Sequence, residues 1–153
     1  MQAFASAGLA ADIRLVFTGK PTPELSACAE RHGVTSSVQF LGPVPDSKMP
    51  SLYRGAHAVI FPSLYEGFGL PPLEAMASGI PVVTSNITAM PEVAGDAALL
   101  VDPTSVDQIA DAMKRIVNDT SLRHQLRERG LIRAAKFPWV NTAAMVREVI
   151  VGN

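Results

Sequence analysis

Along the chain, short apolar runs rich in β-branched residues alternate with longer stretches whose apolar positions recur every three to four residues. That alternation is the pattern of parallel strands joined by crossover helices. It predicts strands over Ile13–Thr18, Val38–Leu41, Ala58–Phe61, Pro81–Thr84 and Ala98–Val101. Between them it predicts a helix over Glu24–His32 ended by Gly33, and a second helix capped by Asp46 and running towards Gly55. A third spans Pro71–Ser78, with proline in its first turn and Gly79 as its left-handed cap, and Met90–Ala94 forms a short fourth. The remaining chain is helical: Thr104 or Ser105 caps a helix through Val117, and Thr120 caps another through Ala135. Phe137-Pro138 then breaks the pattern, and Trp139–Val151 makes the last helix. The fold class is α/β, a single domain over 1–153 built on one open parallel sheet flanked by helices. Twelve residues precede the first strand, helical in pattern over Gln2–Ala7, so an earlier strand and loop are expected to be missing and the chain reads as a fragment.

The length of 153 residues, 48% of them apolar, allows one sizeable core but not two. A net charge of −1 with both signs scattered leaves no positive stripe for nucleic acid or an anionic bilayer, so any bound anion must be held locally. No apolar run approaches the roughly 20 residues that span a membrane, and the opening segment lacks the basic end of a secretory signal. The expected location is cytoplasmic. Cys28, alone in the sequence, can form no internal disulfide and reads as a structural thiol.

The candidate chemistry lies in Glu66-Gly67-Phe68-Gly69-Leu70-Pro71-Pro72-Leu73-Glu74, where a strand hands over to a helix. Ligands of open α/β sheets bind at that edge, outside the carboxyl ends of the strands. Gly67 and Gly69 allow close backbone approach, and the N–H groups of Phe68, Gly69 and Leu70 lead into the positive end of a helix, a setting for a phosphate or oxyanion. The prolines stiffen the loop where helical N–H groups have no partner anyway. Glu66 and Glu74, eight residues apart, can converge on one ligand, and a carboxylate accepts side by side from neighbouring hydroxyls on a ribose or hexose. No third or fourth oxygen ligand stands nearby, and His32, His57 and His124 are not at ligand spacing, so no metal site is expected. On spacing alone, a solvated Glu74 and glycines that merely shape a turn explain the segment equally well.

The run from Pro62 to Ser85, PSLYEGFGLPPLEAMASGIPVVTS, closely resembles the donor-site segment of the group 1 (GT4) retaining glycosyltransferases, including its E-x7-E motif. Val38–Arg54, Met90–Pro103 and Phe137–Ala143 resemble the family's segments in the same order, so the likeness covers nearly the whole chain. The resemblance implies the C-terminal, Rossmann-like half of a GT-B fold, which binds a nucleotide diphosphate sugar and needs no metal or cofactor. It implies that Glu66 lies against the transferred sugar and that Glu74 binds the ribose hydroxyls. Backbone N–H groups of Gly67, Phe68, Gly69 and Leu70 would reach the diphosphate or sugar, with Val44, in the loop Pro43–Pro45, against the base. It also implies an electrostatic mechanism, in which fixed N–H dipoles stabilise the leaving diphosphate and that diphosphate takes the proton of the incoming hydroxyl. Glu66 is then catalytic as an orienting and stabilising group.

The family's basic pair for the diphosphate lies ahead of the first strand, and none precedes Ile13. Lys20 could substitute, though a solvated loop lysine is the plainer reading. The facing N-terminal acceptor domain is also absent, so the isolated chain is expected to be inactive. The terminal helix, 139–153, crosses onto that domain in the family; here Trp139 is expected to face its own domain's core. Uncovered interdomain surface makes a homo-oligomer an expectation as well. Arg123, His124, Arg127, Arg129, Arg133 and Lys136 read as a solvated helix face, Tyr53 as core packing at helical spacing from Met49, and Tyr65 as a candidate site lining. Two other function classes stay open: a sugar-nucleotide epimerase-like domain, and a non-catalytic module for sugar nucleotides or protein.

Overall fold

A computed structural model describes residues 1–152, so of the expected terminal segment only Asn153 lies outside it. All five predicted strands form, their ends shifted by at most two residues: β1 Leu15–Phe17, β2 Val38–Phe40, β3 Val59–Phe61, β4 Val82–Ser85 and β5 Ala98–Val101. The helices are α1 Gln2–Ala7, α2 Pro23–Arg31, α3 Met49–Arg54, α4 Leu70–Ala77, α5 Met90–Ala94, α6 Val106–Asn118, α7 Thr120–Ala134 and α8 Trp139–Val151.

The strands are parallel, as the alternation predicts, but they make two sheets rather than one, β1-β2 and β3-β4-β5. No backbone ladder joins β1 to β3; a shared apolar cluster does. Leu15, Val38, Ile60 and Leu99, from both sheets, pack against a core of Ala3, Phe4 and Ala7 on α1 and Ile109, Met113 and Ile116 on α6. The α6 residues recur at three- and four-residue steps, which puts them on one helical face. β4, in the middle of its sheet, is buried at all four positions. Alternation sends Val83 into the α1/α6 cluster and Val82 into a second one, with Tyr53, Ala75 and Met76. Against that second cluster α7 closes onto α4 through Gly130, where a methyl group would stand 3.3 Å from Met76 Cγ.

Three local expectations change. Asp46 caps no α-helix: the chain makes a 3-10 turn over Asp46–Lys48 and α3 begins only at Met49. Pro50 is the reason, since its missing N–H is harmless in a first turn but would leave a gap in a helix begun at Asp46. α7 is capped by Asp119, whose Oδ1 accepts from the Leu122 N–H at 2.9 Å, while the Thr120 hydroxyl accepts from Arg123. A carboxylate gains from the helix dipole as well as from the bond. Trp139 is 73% exposed rather than core-facing, and no residue of α8 is buried. Pro138 precedes α8 in an extended conformation, with ψ 133°.

Candidate active site

The stretch between β3 and α4 is pinned at its base. The Phe61 carbonyl, the last of β3, accepts from the buried Thr84 hydroxyl of β4 at 2.9 Å and from the Ser63 N–H at 3.0 Å. The tip, Leu64-Tyr65, projects into solvent, and Tyr65 is 81% exposed. From Glu66 to Leu70 no backbone N–H donates to an acceptor among the described residues. Gly69 ends the loop at φ 103° and ψ 58° as the residue before α4, and Pro71 and Pro72 fill the helix's first turn. Those prolines withdraw two N–H groups and leave Leu70's as the first helical donor beside those of the loop. A methyl group on Gly69 would run into the end of the Met90 side chain, which is fully buried. Glycine is thus required here both by conformation and by space.

The aromatic residue of the loop is held from outside. Phe68 meets Phe137 edge to face, with ring centroids 5.7 Å apart, and the Arg133 guanidinium lies 5.0 Å over the Phe137 ring. Arg133 also donates through Nε to the Val93 carbonyl at 2.9 Å and through Nη2 to the Glu92 carbonyl, both in α5. Arg123 donates to the Ile116 and Val117 carbonyls late in α6, and Arg129 to the Asp96 carbonyl. Arg123, Arg129 and Arg133 are therefore tethers, while His124, Arg127 and Lys136 lie exposed, as expected of a solvated face. Late helical carbonyls carry partial negative charge and lack partners, which is why guanidinium groups settle there.

The two glutamates differ. Glu66 is half-buried in the loop, with no hydrogen bond or ion pair among the described residues, and Glu74 is exposed in the second turn of α4. Glu74 Oε2 accepts from the hydroxyl of Tyr53, on α3, at 3.1 Å. Tyr53 is the buried core residue its spacing predicts, but its hydroxyl reaches the rim. Burial, and then the charge and hydrogen bond of Glu74, push its phenol up to about 12. Spacing gave no hint of the pairing; the one available clue was a tyrosine at a core position, since a buried hydroxyl needs a partner. The role of the Phe137 and Arg133 pair was likewise unmarked in the sequence.

Val44 stands half-buried in the loop that leaves β2, in the other sheet, and Lys20 is exposed beyond β1. Neither is bonded to the glutamate loop. Clefts of about 370 Å³ between β5 and α6 and about 120 Å³ beside α1 also lie away from it. The loop is an open surface with unspent donors rather than an enclosed pocket. Among the described residues no three His, Cys, Asp or Glu side chains gather as metal ligands, and no helix is long and apolar enough to cross a membrane.

Residues 1–133 match the family model described as glycosyl transferases group 1. The chain is 49% identical over 104 residues to O-antigen chain mannosyltransferase B of Escherichia coli, covering 68% of this chain and 27% of that protein. It is 33% identical to the solved C-terminal domain of a group 1 family glycosyl transferase from Francisella tularensis, with a TM-score of 0.74 over 88% of this chain and 77% of that one. HepE of Anabaena, solved with UDP and glucose, shares the fold at a TM-score of 0.88 and 22% identity over 99% of this chain and 44% of its own. The match thus spans about a quarter of the curated mannosyltransferase's length. With this match over most of its length, on a parallel α/β scaffold shared with GT-B enzymes, the chain belongs to the group 1 glycosyltransferases.

Proposed function

We propose that this chain is the donor-binding half of a retaining glycosyltransferase, taking a nucleotide diphosphate sugar on the Glu66–Glu74 loop. The observation that carries the reading is the run of unpaired N–H groups from Glu66 to Leu70, which leads into the first turn of α4 with a carboxylate on either side. Such donors suit a diphosphate, and the carboxylates suit the hydroxyl pairs at its two ends, hexose on Glu66 and ribose on Glu74. Val44 takes the base side. A mannose-type sugar is favoured over glucose by the 49% identity to a mannosyltransferase.

In the reaction the bond from sugar C1 to the diphosphate oxygen breaks, and its electron pair leaves with the diphosphate. The acceptor oxygen bonds to C1 on the face just vacated, and its proton passes to the departing diphosphate. The loop N–H groups stabilise the growing negative charge, while Glu66 orients the sugar and offsets positive charge at C1. We propose no metal and no cofactor in this chemistry. The acceptor site lies on a second domain, and the exposed apolar residues of α8 suit contact with it, or with a second copy of this chain. The full enzyme works in the cytoplasm or at the inner face of the membrane, and the isolated chain binds donor without transferring sugar.

Calorimetric titration with UDP, GDP and ADP and their glucose and mannose conjugates, with and without EDTA, tests the reading. One nucleotide bound by the parent, lost in Glu74→Ala and indifferent to EDTA, is the expected result. Equal binding by parent and Glu74→Ala would sink it.

A further inference from the structure

Tyr53 is 8% exposed, its ring packed with Ala75, Met76, Ile80 and Val82 where α3 meets α4. Phenylalanine would fill that volume without a polar atom to satisfy. The hydroxyl is what tyrosine adds, and it donates at 3.1 Å to Glu74 Oε2. The acceptor is an exposed side chain on α4, of a type that carries substantial rotamer freedom when unheld. A donor fixed in the core removes that freedom before a ligand arrives, and Oε1 of the same carboxylate has no partner among the described residues. Preorganisation of this kind strengthens binding by lowering the ordering cost.

We propose that Tyr53 is a positioning residue of the donor site, whose hydroxyl holds one oxygen of Glu74 and leaves the other presented to a ribose hydroxyl of the nucleotide. The inference rests on the reading of Glu74 as the ribose acceptor. Tyr53 touches no substrate and acts only through the carboxylate.

The test is titration of the parent chain, Tyr53→Phe, Glu74→Ala and the double variant, each with a ribonucleoside diphosphate and with its 2′,3′-dideoxy analogue. Tyr53→Phe should weaken the ribonucleotide about five- to tenfold. It should leave the dideoxy analogue unchanged and have no further effect once Glu74 is alanine. Equal weakening of both nucleotides would mean a packing role, and no weakening of either would mean no role; each overturns the proposal. Undiminished ribonucleotide binding by Glu74→Ala would instead overturn the ribose reading beneath it. A second readout needs no nucleotide: NMR couplings along the Glu74 side chain should report one dominant rotamer in the parent and averaging in Tyr53→Phe. Identical couplings in the two proteins would also overturn it.

Discussion

Replacing Gly69 by alanine tests whether the loop geometry is imposed by the fold. At φ 103° an L-residue is strained, which costs about 1–3 kcal/mol. The added methyl also meets the end of the Met90 side chain and lies 3.0 Å from its sulfur. A thioether on three rotatable bonds can swing aside, but Met90 is wholly buried, so the movement displaces neighbours at roughly 1–2 kcal/mol. The sum is about 2–5 kcal/mol against a total stability of about 5–15 kcal/mol. Urea denaturation of parent, Gly69→Ala, Met90→Ala and the double variant separates the two. The cycle should return a favourable coupling near 1 kcal/mol, because removing Met90 relieves the collision but not the strain. Nucleotide affinity should fall with Gly69→Ala and stay low in the double variant, since the loop N–H groups are re-aimed in both. A loss under about 0.5 kcal/mol in Gly69→Ala, or full recovery in the double variant, would refute the reasoning.

Phe137→Ala removes the edge-to-face partner of Phe68 and the ring beneath Arg133; we expect about 1–2 kcal/mol lost in a urea titration and several-fold weaker nucleotide binding, the latter reporting the loop. Asp119→Ala should cost about 0.5–2 kcal/mol in thermal unfolding and Thr120→Ala distinctly less, because Asp119 accepts from the helical N–H; equal losses would contradict that cap. Tyr53, with a folded pKa of about 12 against an ordinary 10, contributes stability that is full below pH 10 and lost as the pH rises towards 12. Because the hydroxyl reaches the rim and is screened by solvent, the loss should be about 1 kcal/mol. Glu74→Gln should narrow that window in urea midpoints taken across it, and a Tyr53→Phe profile identical to the parent's would count against the assignment.

The scaffold was legible because its signals are local. β4 is marked by the β-branched run Val82-Val83-Thr84 and α6 by buried residues repeating at helical spacing, so period and composition mark both without knowledge of their neighbours. Helix starts were less legible. Asp46 and Thr120 are good caps by residue type, but the choice fell to Pro50 in one case and to a competing Asp119 in the other. Arg123, Arg129 and Arg133 looked solvated because their partners are backbone carbonyls of other segments, and carbonyls leave no mark in a sequence.

By itself the sequence determined the α/β class, the order of elements and the placing of a glycine-bearing loop with two glutamates between a strand and a helix. All follow from local sterics, hydrophobic period and motif. Tertiary structure alone decided that the strands split into two sheets, that Trp139 faces solvent, that Met90 leaves no room beside Gly69, and that Tyr53 holds Glu74. Each depends on which surfaces meet across 21 or more residues of chain, as from Tyr53 to Glu74. Contacts at that separation are set by packing the whole core, whereas a local pattern reports only which face of each element is apolar.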